Sequence, residues 1–280
     1  MRKGLGWGFV SPIDHFSFGL LTPALAYVMS SVGSMLGLLL TSRARLSSGR
    51  ESKLWLVGAA FAIGGTGIWT MHFLAMLGFS VTGSVIRYDV PLTALSALIA
   101  VVVVGMGLFL VSYGGERLTY LLGGGVLTGC GVAGMHYLGM YAMNMSAMVS
   151  YDPVVVPLSV LIAVAAATVA LWFTVRVSGA LRIGGAALVM GVAVSGMHYT
   201  GMFSMSVAVH SDMVPVPGVK AVDLLLPLIV GISVITVGLL LAVILSPSEK
   251  ELRSEAEYRE RLRGNDEGAP EVDLFGTPRG

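Results

Sequence analysis

Seven long apolar segments alternate with short polar connections along this chain of 280 residues. Each segment is long enough to cross a bilayer as a helix, which takes about 20 residues. We predict spans near residues 18–40, 54–79, 92–112, 120–145, 154–177, 183–207 and 224–245. The pattern therefore predicts an all-α, polytopic membrane protein, with residues 1–17 before a bundle at 18–245 and a tail at 246–280.

The polar connections predict the orientation of this bundle. Seven basic residues lie in or beside the connections after the first, third and fifth spans, namely Arg43, Arg45, Arg50, Lys53, Arg117, Arg176 and Arg182. The opposite connections carry only Arg87 and Lys220. Because basic loops stay in the cytoplasm, we expect the amino terminus and residues 1–17 outside and the carboxyl terminus inside.

The tail differs in composition from the bundle. It starts with Ser246-Pro247-Ser248-Glu249, a pattern typical of a helix start, and then carries many charges of both signs. Its apolar residues are too few to form a core, which predicts a solvated helical extension that is disordered after Gly264. The alternative is that the tail docks a cytoplasmic signalling partner.

A short motif recurs in the second, fourth and sixth spans. Its copies are Met71-His72-Phe73, Met135-His136-Tyr137 and Met197-His198-Tyr199. The histidines are 64 and 62 residues apart. This spacing indicates a helical hairpin that is used three times, with one span left over, and it places the histidines at one depth in the membrane.

Methionines surround each of these histidines. One helical turn after the histidines come Met76, Met140 and Met202, and two turns after the last two come Met143 and Met205. Residues one or two turns apart share a helix face, whereas Met71, Met135 and Met197 lie to the side of it. Ten of the 16 methionines fall in three short windows around the motifs.

Imidazole and thioether together form a donor set that suits copper, since thioether favours Cu(I). Neither group brings a negative charge, so the set can be held at low dielectric without burying carboxylates. Zinc more often recruits cysteine or carboxylate ligands. We predict copper, as Cu(I) or Cu(II), at the histidines and methionines of these motifs, with Met143, Met205, Tyr137 and Tyr199 as auxiliary candidates. The spacing leaves open whether the motifs form one site.

Packing is the alternative explanation for these residues. Methionine is an adaptable core filler, and a histidine in a span can hydrogen-bond a neighbouring helix. Tyr137 and Tyr199 could anchor the interface or support the site through their hydroxyl groups. His15 and His210, outside the motifs, are weaker candidates near the outer surface.

Other features of the sequence narrow the class of protein. Hydrophobic residues make up 55% of the chain and charged residues 12%, against about 25% charged in soluble domains. The single cysteine, Cys130, rules out a multi-cysteine metal site and is expected to be buried. No basic block indicates nucleic acid, and no nucleophile–base or carboxylate pair indicates an enzyme.

Small and acidic residues near the motifs predict local structure. Gly134, Gly139, Gly196 and Gly201 flank the second and third histidines, and we expect them to allow close helix packing. Asp89 and Asp152 precede the third and fifth spans, and we expect them to cap those helices.

The Met-His motifs resemble those of the MHYT family of bacterial membrane sensor domains, over roughly residues 10–245. The resemblance implies a multi-pass protein of the inner (plasma) membrane, with copper bound near its outer face. Residue by residue, it implies nine ligands, namely His72, His136, His198, Met71, Met76, Met135, Met140, Met197 and Met202. It also implies the sensing of a diatomic gas such as O2, CO or NO. Many relatives attach a cytoplasmic signalling domain, whereas a short tail follows the bundle here, so we expect a separate signalling partner.

Three other functions remain open from the sequence. A copper carrier or permease would need donors that continue toward the inner half of the bundle, where Met106 and Met190 lie. A haem-binding electron carrier could use paired histidines as axial ligands. A structural membrane bundle would need no metal.

Overall fold

The structure, a computed structural model, describes residues 13–115, 117–209 and 215–246, together with residues 251, 254, 257, 258, 260 and 261. Among them, seven helices are long and apolar enough to cross a membrane. They are α1 Leu21–Leu46, α2 Gly49–Leu77, α3 Val90–Gly114, α4 Leu118–Tyr141, α5 Val155–Arg176, α6 Ala180–Phe203 and α7 Ala221–Leu245. The predicted number of spans is confirmed.

The helices differ from the predicted spans mainly at their ends. α1 continues to Leu46, so Arg43 and Arg45 lie in its last turn rather than in a connection. α4 ends at Tyr141 and α6 at Phe203. The predicted ends at 145 and 207 are therefore wrong, because the chain after each helix pairs as a strand.

Short strands, which the sequence analysis did not predict, join the ends of α2, α4 and α6. They are β1 Ile13–Asp14, β2 Ser80–Val81, β3 Arg87–Tyr88, β4 Met143–Asn144, β5 Ala147–Tyr151, β6 Met205–Val209 and β7 Val219–Lys220. All pairs are antiparallel, in the orders β1-β2, β4-β3-β7 and β5-β6. The all-α prediction needs this correction, and we call this side of the bundle the strand-bearing end. The opposite side, where α1 ends in arginines, is the basic end.

Six of the helices close into a ring. Each helix from α1 to α6 packs against the next, and α6 packs against α1. The alternate helices α2, α4 and α6 also contact one another pairwise. The motif-bearing helices therefore meet inside the ring, while α7 is the most exposed of the seven helices.

The most buried helix is α2, and its central part is wound as a π-helix over Phe61–Thr70. Close packing there depends on glycine: a Cβ at Gly33 would lie 2.3 Å from the backbone nitrogen of Gly67. π-helical turns are often found at functional sites. This one ends directly before the first Met-His motif.

Two predicted helix caps are confirmed. The Asp89 carboxylate accepts a hydrogen bond from the backbone N–H of Leu92 at 2.9 Å. The Asp152 carboxylate accepts from the N–H groups of Val154 and Val155 at 2.8 and 3.0 Å. These two hydrogen bonds lower the pKa of Asp152. The caps fix where α3 and α5 begin.

Contacts divide the chain into a unit that ends at Val243 and a second unit that begins at Ile244. The described residues of the tail between 251 and 261 are helical. The predicted disorder after Gly264 falls outside the described residues.

Cys130 is exposed, so the prediction that it is buried is wrong. In a membrane bundle an exposed face meets lipid, which is as apolar as a protein core.

Candidate metal centre

Three histidines meet where α2, α4 and α6 converge. His72, His136 and His198 each lie five residues before their helix ends at the strand-bearing end. Equal offsets along helices of equal rise put the three residues at one depth. Each histidine is only 1% exposed. The three histidines therefore form one buried cluster rather than three separate sites.

The imidazole rings converge through their Nδ1 atoms. Nδ1 of His72 lies 3.0 Å from Nδ1 of His198 and 3.1 Å from Nδ1 of His136. One nitrogen from each ring falls within 4.8 Å of the other two. The ring planes cross at 79°, 83° and 90°. The arrangement is a propeller, which we call the histidine triad.

Two glycines make room for the rings. A Cβ at Gly139 would lie 2.5 Å from Nε2 of His72, and a Cβ at Gly201 would lie 2.3 Å from Nε2 of His136. Both glycines thus allow the close packing that was predicted. A Cβ at Gly134 or Gly196 would have no atom of the described residues within 4 Å, so the same prediction is wrong for these two glycines.

The aromatic residue of each motif packs edge-on against its own histidine. The ring centroids of Phe73, Tyr137 and Tyr199 lie 4.7, 5.0 and 4.9 Å from the imidazoles that precede them. The Tyr137 hydroxyl instead pairs with Ser159 on α5 at 2.6 Å. The Tyr199 hydroxyl is buried without a hydrogen-bond partner among the described residues. The aromatic rings, rather than the hydroxyls, therefore support the triad.

The methionines divide into two groups around the triad. Met76, Met140 and Met202 follow the histidines by one turn, on nearly the same helix faces, and each is 2% exposed. The methionines that precede the histidines turn to other neighbours: Met71 packs with Ala26 of α1, and Met197 lines a cavity.

The remaining motif residues are also buried. Met135 belongs to the hydrophobic core. Met143 and Met205 lie in β4 and β6, so the helical stripe that was predicted to contain them is interrupted.

The donor set is electrically neutral. The cluster found among the described residues contains the three histidines and no carboxylate. An Nδ1 atom carries either one proton or one lone pair, so His72 cannot direct good hydrogen bonds at both of its neighbours. A single cation between the rings would accept all three lone pairs. The donors therefore fit one metal ion of low charge.

The orientation of the rings is set by packing. Nε2 of His72 and Nε2 of His136 are buried without hydrogen-bond partners in the part of the chain that the structure describes. Most metal-binding histidines donate the second N–H to a carboxylate or carbonyl group. Here the glycine on one side and the aromatic ring on the other hold each of these two imidazoles in place.

An apolar cavity of about 50 Å³ adjoins the triad on the side of the basic end. Its lining includes Ile68, Val132 and Val194, each of which precedes a triad histidine by one helical turn. Met190 and Met197 also line it. The sequence analysis missed this cavity, because the space depends on how five helices pack.

His15 approaches the triad from the strand-bearing end. Its ring centroid lies 4.9 Å from that of Phe203 and 5.6 Å from that of Phe79. It is close enough to His198 for the two imidazoles to interact electrostatically. Burial lowers the pKa of His15, although the neighbouring Asp14 opposes this effect. His210, the other weak candidate, falls outside the described residues.

These features define a class: a seven-helix membrane protein with a buried histidine triad supplied by three alternate helices. Residues 65–124 and 129–186 each match the sequence profile of the MHYT family, described as a bacterial signalling protein N terminal repeat. The chain belongs to this family. The third motif lies beyond the matched residues.

Several curated proteins are similar to this chain. It is 44% identical over 191 residues to the bifunctional diguanylate cyclase/cyclic di-GMP phosphodiesterase MucR of Pseudomonas aeruginosa, a match that covers 66% of this chain and 28% of MucR. It is 33% identical over 217 residues to the signaling protein YkoW of Bacillus subtilis, covering 73% and 26% of the two chains. It is 34% identical over 218 residues to the cyclic di-GMP phosphodiesterase NbdA of Pseudomonas aeruginosa, covering 74% and 28%.

The chain thus spans about a quarter of the length of these curated relatives. No solved structure matches it.

Proposed function

We propose that this chain is a membrane sensor that holds one copper ion in the histidine triad and signals to a cytoplasmic partner. One observation carries the proposal: three imidazole nitrogens, one from each motif, lie within 4.8 Å of one another. All three side chains are buried to 1% exposure. Packing alone gives little reason to bury three polar rings with their nitrogens facing one another, since unsatisfied polar groups are costly.

Charge favours Cu(I) over a divalent ion at this position. Burying an ion at low dielectric is costly, and the cost rises steeply with its charge. A neutral set of imidazoles offsets the second charge of Zn²⁺ less well than a set with cysteine or carboxylate does, although three histidines with a water molecule do hold zinc in some catalytic sites. The thioethers of Met76, Met140 and Met202 lie on the same helix faces and would complete a soft donor set.

The signal in this proposal is a diatomic gas, O2, CO or NO. Copper, when bound, would supply an exchangeable coordination position and a one-electron redox change. The apolar cavity beside the triad, of about 50 Å³, would hold small apolar molecules, because cavities without polar partners exclude water. The proposed ligands are imidazoles and thioethers, so the set contains no carboxylate that would compete for the metal.

The output requires a route from the triad to the rest of the chain. Thr66, in the π-helical part of α2, shares a buried hydrogen bond of 2.5 Å with Thr236 of α7. Arg43 of α1 donates to the Val243 carbonyl of α7 at 3.2 Å. A change at His72 would therefore reach α7, which leads into the tail, through α2.

We further propose that the strand-bearing end faces outward from the inner membrane and that the tail at 246–280 docks the partner. Two of the relatives act on cyclic di-GMP, so the proposed partner is a protein of cyclic di-GMP signalling. The basic residues of α1 lie at the opposite end, as expected for a cytoplasmic face.

The rival functions fit the site less well. A haem iron would have to lie between its two axial ligands. The Nδ1 atom of His72 is instead only 3.0 and 3.1 Å from the Nδ1 atoms of the other two histidines. A permease would need a continuous series of donors across the bundle. On the side of the basic end the cavity lining provides two thioethers, Met190 and Met197, both from α6, and its other side chains are apolar apart from two threonines.

The proposal is tested by metal analysis and an optical spectrum of the detergent-purified chain before and after Cu(I) is added. We expect about one copper per chain, no haem Soret band, and loss of the copper in a variant that carries both His136→Ala and His198→Ala. His210→Ala, at a histidine outside the motifs, is the matched control and should retain the metal. Unchanged copper in the double variant would disprove the ligand assignment, and a Soret band would favour haem.

A further inference from the structure

We propose that His15 is the loading ligand of the triad, which captures a soft monovalent cation at the strand-bearing end and passes it inward through Met76, Met140 and Met202. The inference rests on the copper site proposed above. It concerns how the ion reaches that site and which end of the bundle it enters.

The position of the triad creates the need for such a path. Each histidine is 1% exposed and lies about 7.5 Å from its helix end, given a rise of about 1.5 Å per residue. A desolvated ion cannot cross that distance through apolar side chains without a large energetic cost. Ligands along the path would lower this cost.

Soft donors occupy the last helical turn on the side of the strand-bearing end. Met76, Met140 and Met202 lie about 6 Å from the histidines along their helices and are each 2% exposed. Beyond them, Met205 and Met143 lie in strands and are 4% and 7% exposed. Thioether groups in buried side chains therefore continue from the triad toward the strand-bearing end.

The other side of the triad has a different lining. The residues one turn toward the basic end are Ile68, Val132 and Val194, and all three line the apolar cavity. Their side chains offer no ligand atoms for a cation. The thioethers that line the cavity, Met190 and Met197, both come from α6, whereas the strand-bearing end has one thioether from each of the three motif-bearing helices. The asymmetry of the two sides indicates that the ion enters and leaves through the strand-bearing end.

His15 stands at the mouth of this path. The pairing of β1 with β2 and two hydrogen bonds from Ser17 to the Gly78 carbonyl, both 2.9 Å, hold its segment over the end of α2. Its ring packs between Phe79, which follows α2, and Phe203, which ends α6.

The imidazole of His15 is available to bind an ion. Nδ1 of His15 is buried but has no hydrogen-bond partner among the described residues, so none of them competes for its lone pair. The side chain as a whole is only half-buried. Its ring contacts Phe79 and Phe203, seven residues after His72 and five after His198, so it lies at the ends of two of the helices that carry the inner ligands.

The test measures the rates of Cu(I) binding and release, with the full chain in detergent and a chromogenic Cu(I) chelate as donor. His15→Phe keeps the aromatic packing against Phe79 and Phe203 but removes the donor atom. His15→Met keeps a soft donor but removes the ring. We expect both rate constants to fall about ten-fold in His15→Phe, which corresponds to a barrier raised by about 1.4 kcal/mol when the outermost ligand of the path is lost. We expect them to stay near the wild-type values in His15→Met.

Equilibrium readouts separate this inference from the proposed function. A loading ligand changes binding and release equally, so the copper content and affinity of His15→Phe should equal those of the wild type. Unchanged rates in His15→Phe would overturn the inference and leave the triad site intact. Loss of bound copper in that variant would also overturn it, because His15 would then belong to the final site. A wild-type chain that takes up no copper would overturn both proposals.

Discussion

Adding one methyl group beside the triad should weaken copper binding without removing any ligand. The substitutions are Gly139→Ala and Gly201→Ala, at the two positions where imidazole rings lie against glycine. The new Cβ atoms would be 2.5 Å from Nε2 of His72 and 2.3 Å from Nε2 of His136. Ordinary contact begins at 3.4 Å, so each ring must move by about 1 Å.

A displacement of that size is large for a metal site. Ligand distances in metal sites hold to within about 0.2 Å, and the triad nitrogens are already packed at 3.0 and 3.1 Å. The edge-on aromatic ring of each motif limits how far the imidazole can turn away. We therefore expect each substitution to weaken copper affinity by about 10- to 100-fold, as changes in the groups that orient ligands do.

The assay is competition for Cu(I) against a chelator of known affinity, with thermal unfolding recorded for every variant. Gly134→Ala and Gly196→Ala are matched controls on the same two helices, because no atom of the described chain lies within 4 Å of their Cβ positions. These controls should bind copper like the wild type, and alanine stabilises a helix over glycine by up to about 1 kcal/mol. Wild-type affinity in Gly139→Ala and Gly201→Ala would refute the geometry of the triad, and equal weakening in the controls would show a general helix effect.

Five further substitutions test the surroundings of the site through unfolding in detergent. Tyr137→Phe should cost about 1 kcal/mol, because it removes the hydrogen bond to Ser159, whereas Tyr199→Phe should be neutral or stabilising, because its hydroxyl has no partner among the described residues. Thr236→Val should cost about 1–3 kcal/mol by leaving the Thr66 hydroxyl unpaired, and adding Thr66→Val should recover part of that loss; additive losses would contradict the coupling. Asp89→Ala should cost about 1 kcal/mol through the lost cap of α3, and an unchanged unfolding midpoint would count against that cap.

The number of spans and the depth of the histidines could be predicted because they depend on local sequence. Length and hydrophobicity define a membrane helix, and His72, His136 and His198 recur at nearly constant spacing. Equal spacing then implies equal depth for helices of equal rise. The caps at Asp89 and Asp152 are local as well, since each carboxylate binds N–H groups two or three residues away.

The contacts that shape the site could not be predicted, because they join distant parts of the chain. Gly139 contacts His72 across 67 positions of sequence, and nothing near either residue indicates the pairing. The ends of α4 and α6 were misplaced for the same reason: β4 after α4 pairs with β3, 55 or more residues earlier, and β6 after α6 pairs with β5, 54 or more residues earlier. Hydrophobicity alone continues the helices, and these long-range pairings end them.

The packing around the triad follows a cyclic order that is broken at one position. His72 lies against Gly139, and His136 lies against Gly201. Each of these glycines comes three residues after the histidine of the next motif copy. For His198 the equivalent position is in the first motif copy, where Ala75 lies three residues after His72. Ala75 is buried in a cluster that Tyr199 also packs against. The first copy therefore carries a methyl group at the position where the other two have glycine, and His198 differs from its two equivalents in this respect.

This difference gives the triad a distinguishable member. His198 is also the histidine with which His15 interacts, and the ring beside it, Tyr199, lies 5.7 Å from Phe16. The segment with His15 and Phe16 thus lies against the third motif copy. The histidine of that copy is the one whose equivalent neighbour is alanine rather than glycine. On the loading path proposed above, an ion that arrives through that segment would meet His198 first, so the near-symmetry of the repeats would position the donors while its interruption distinguishes one of them.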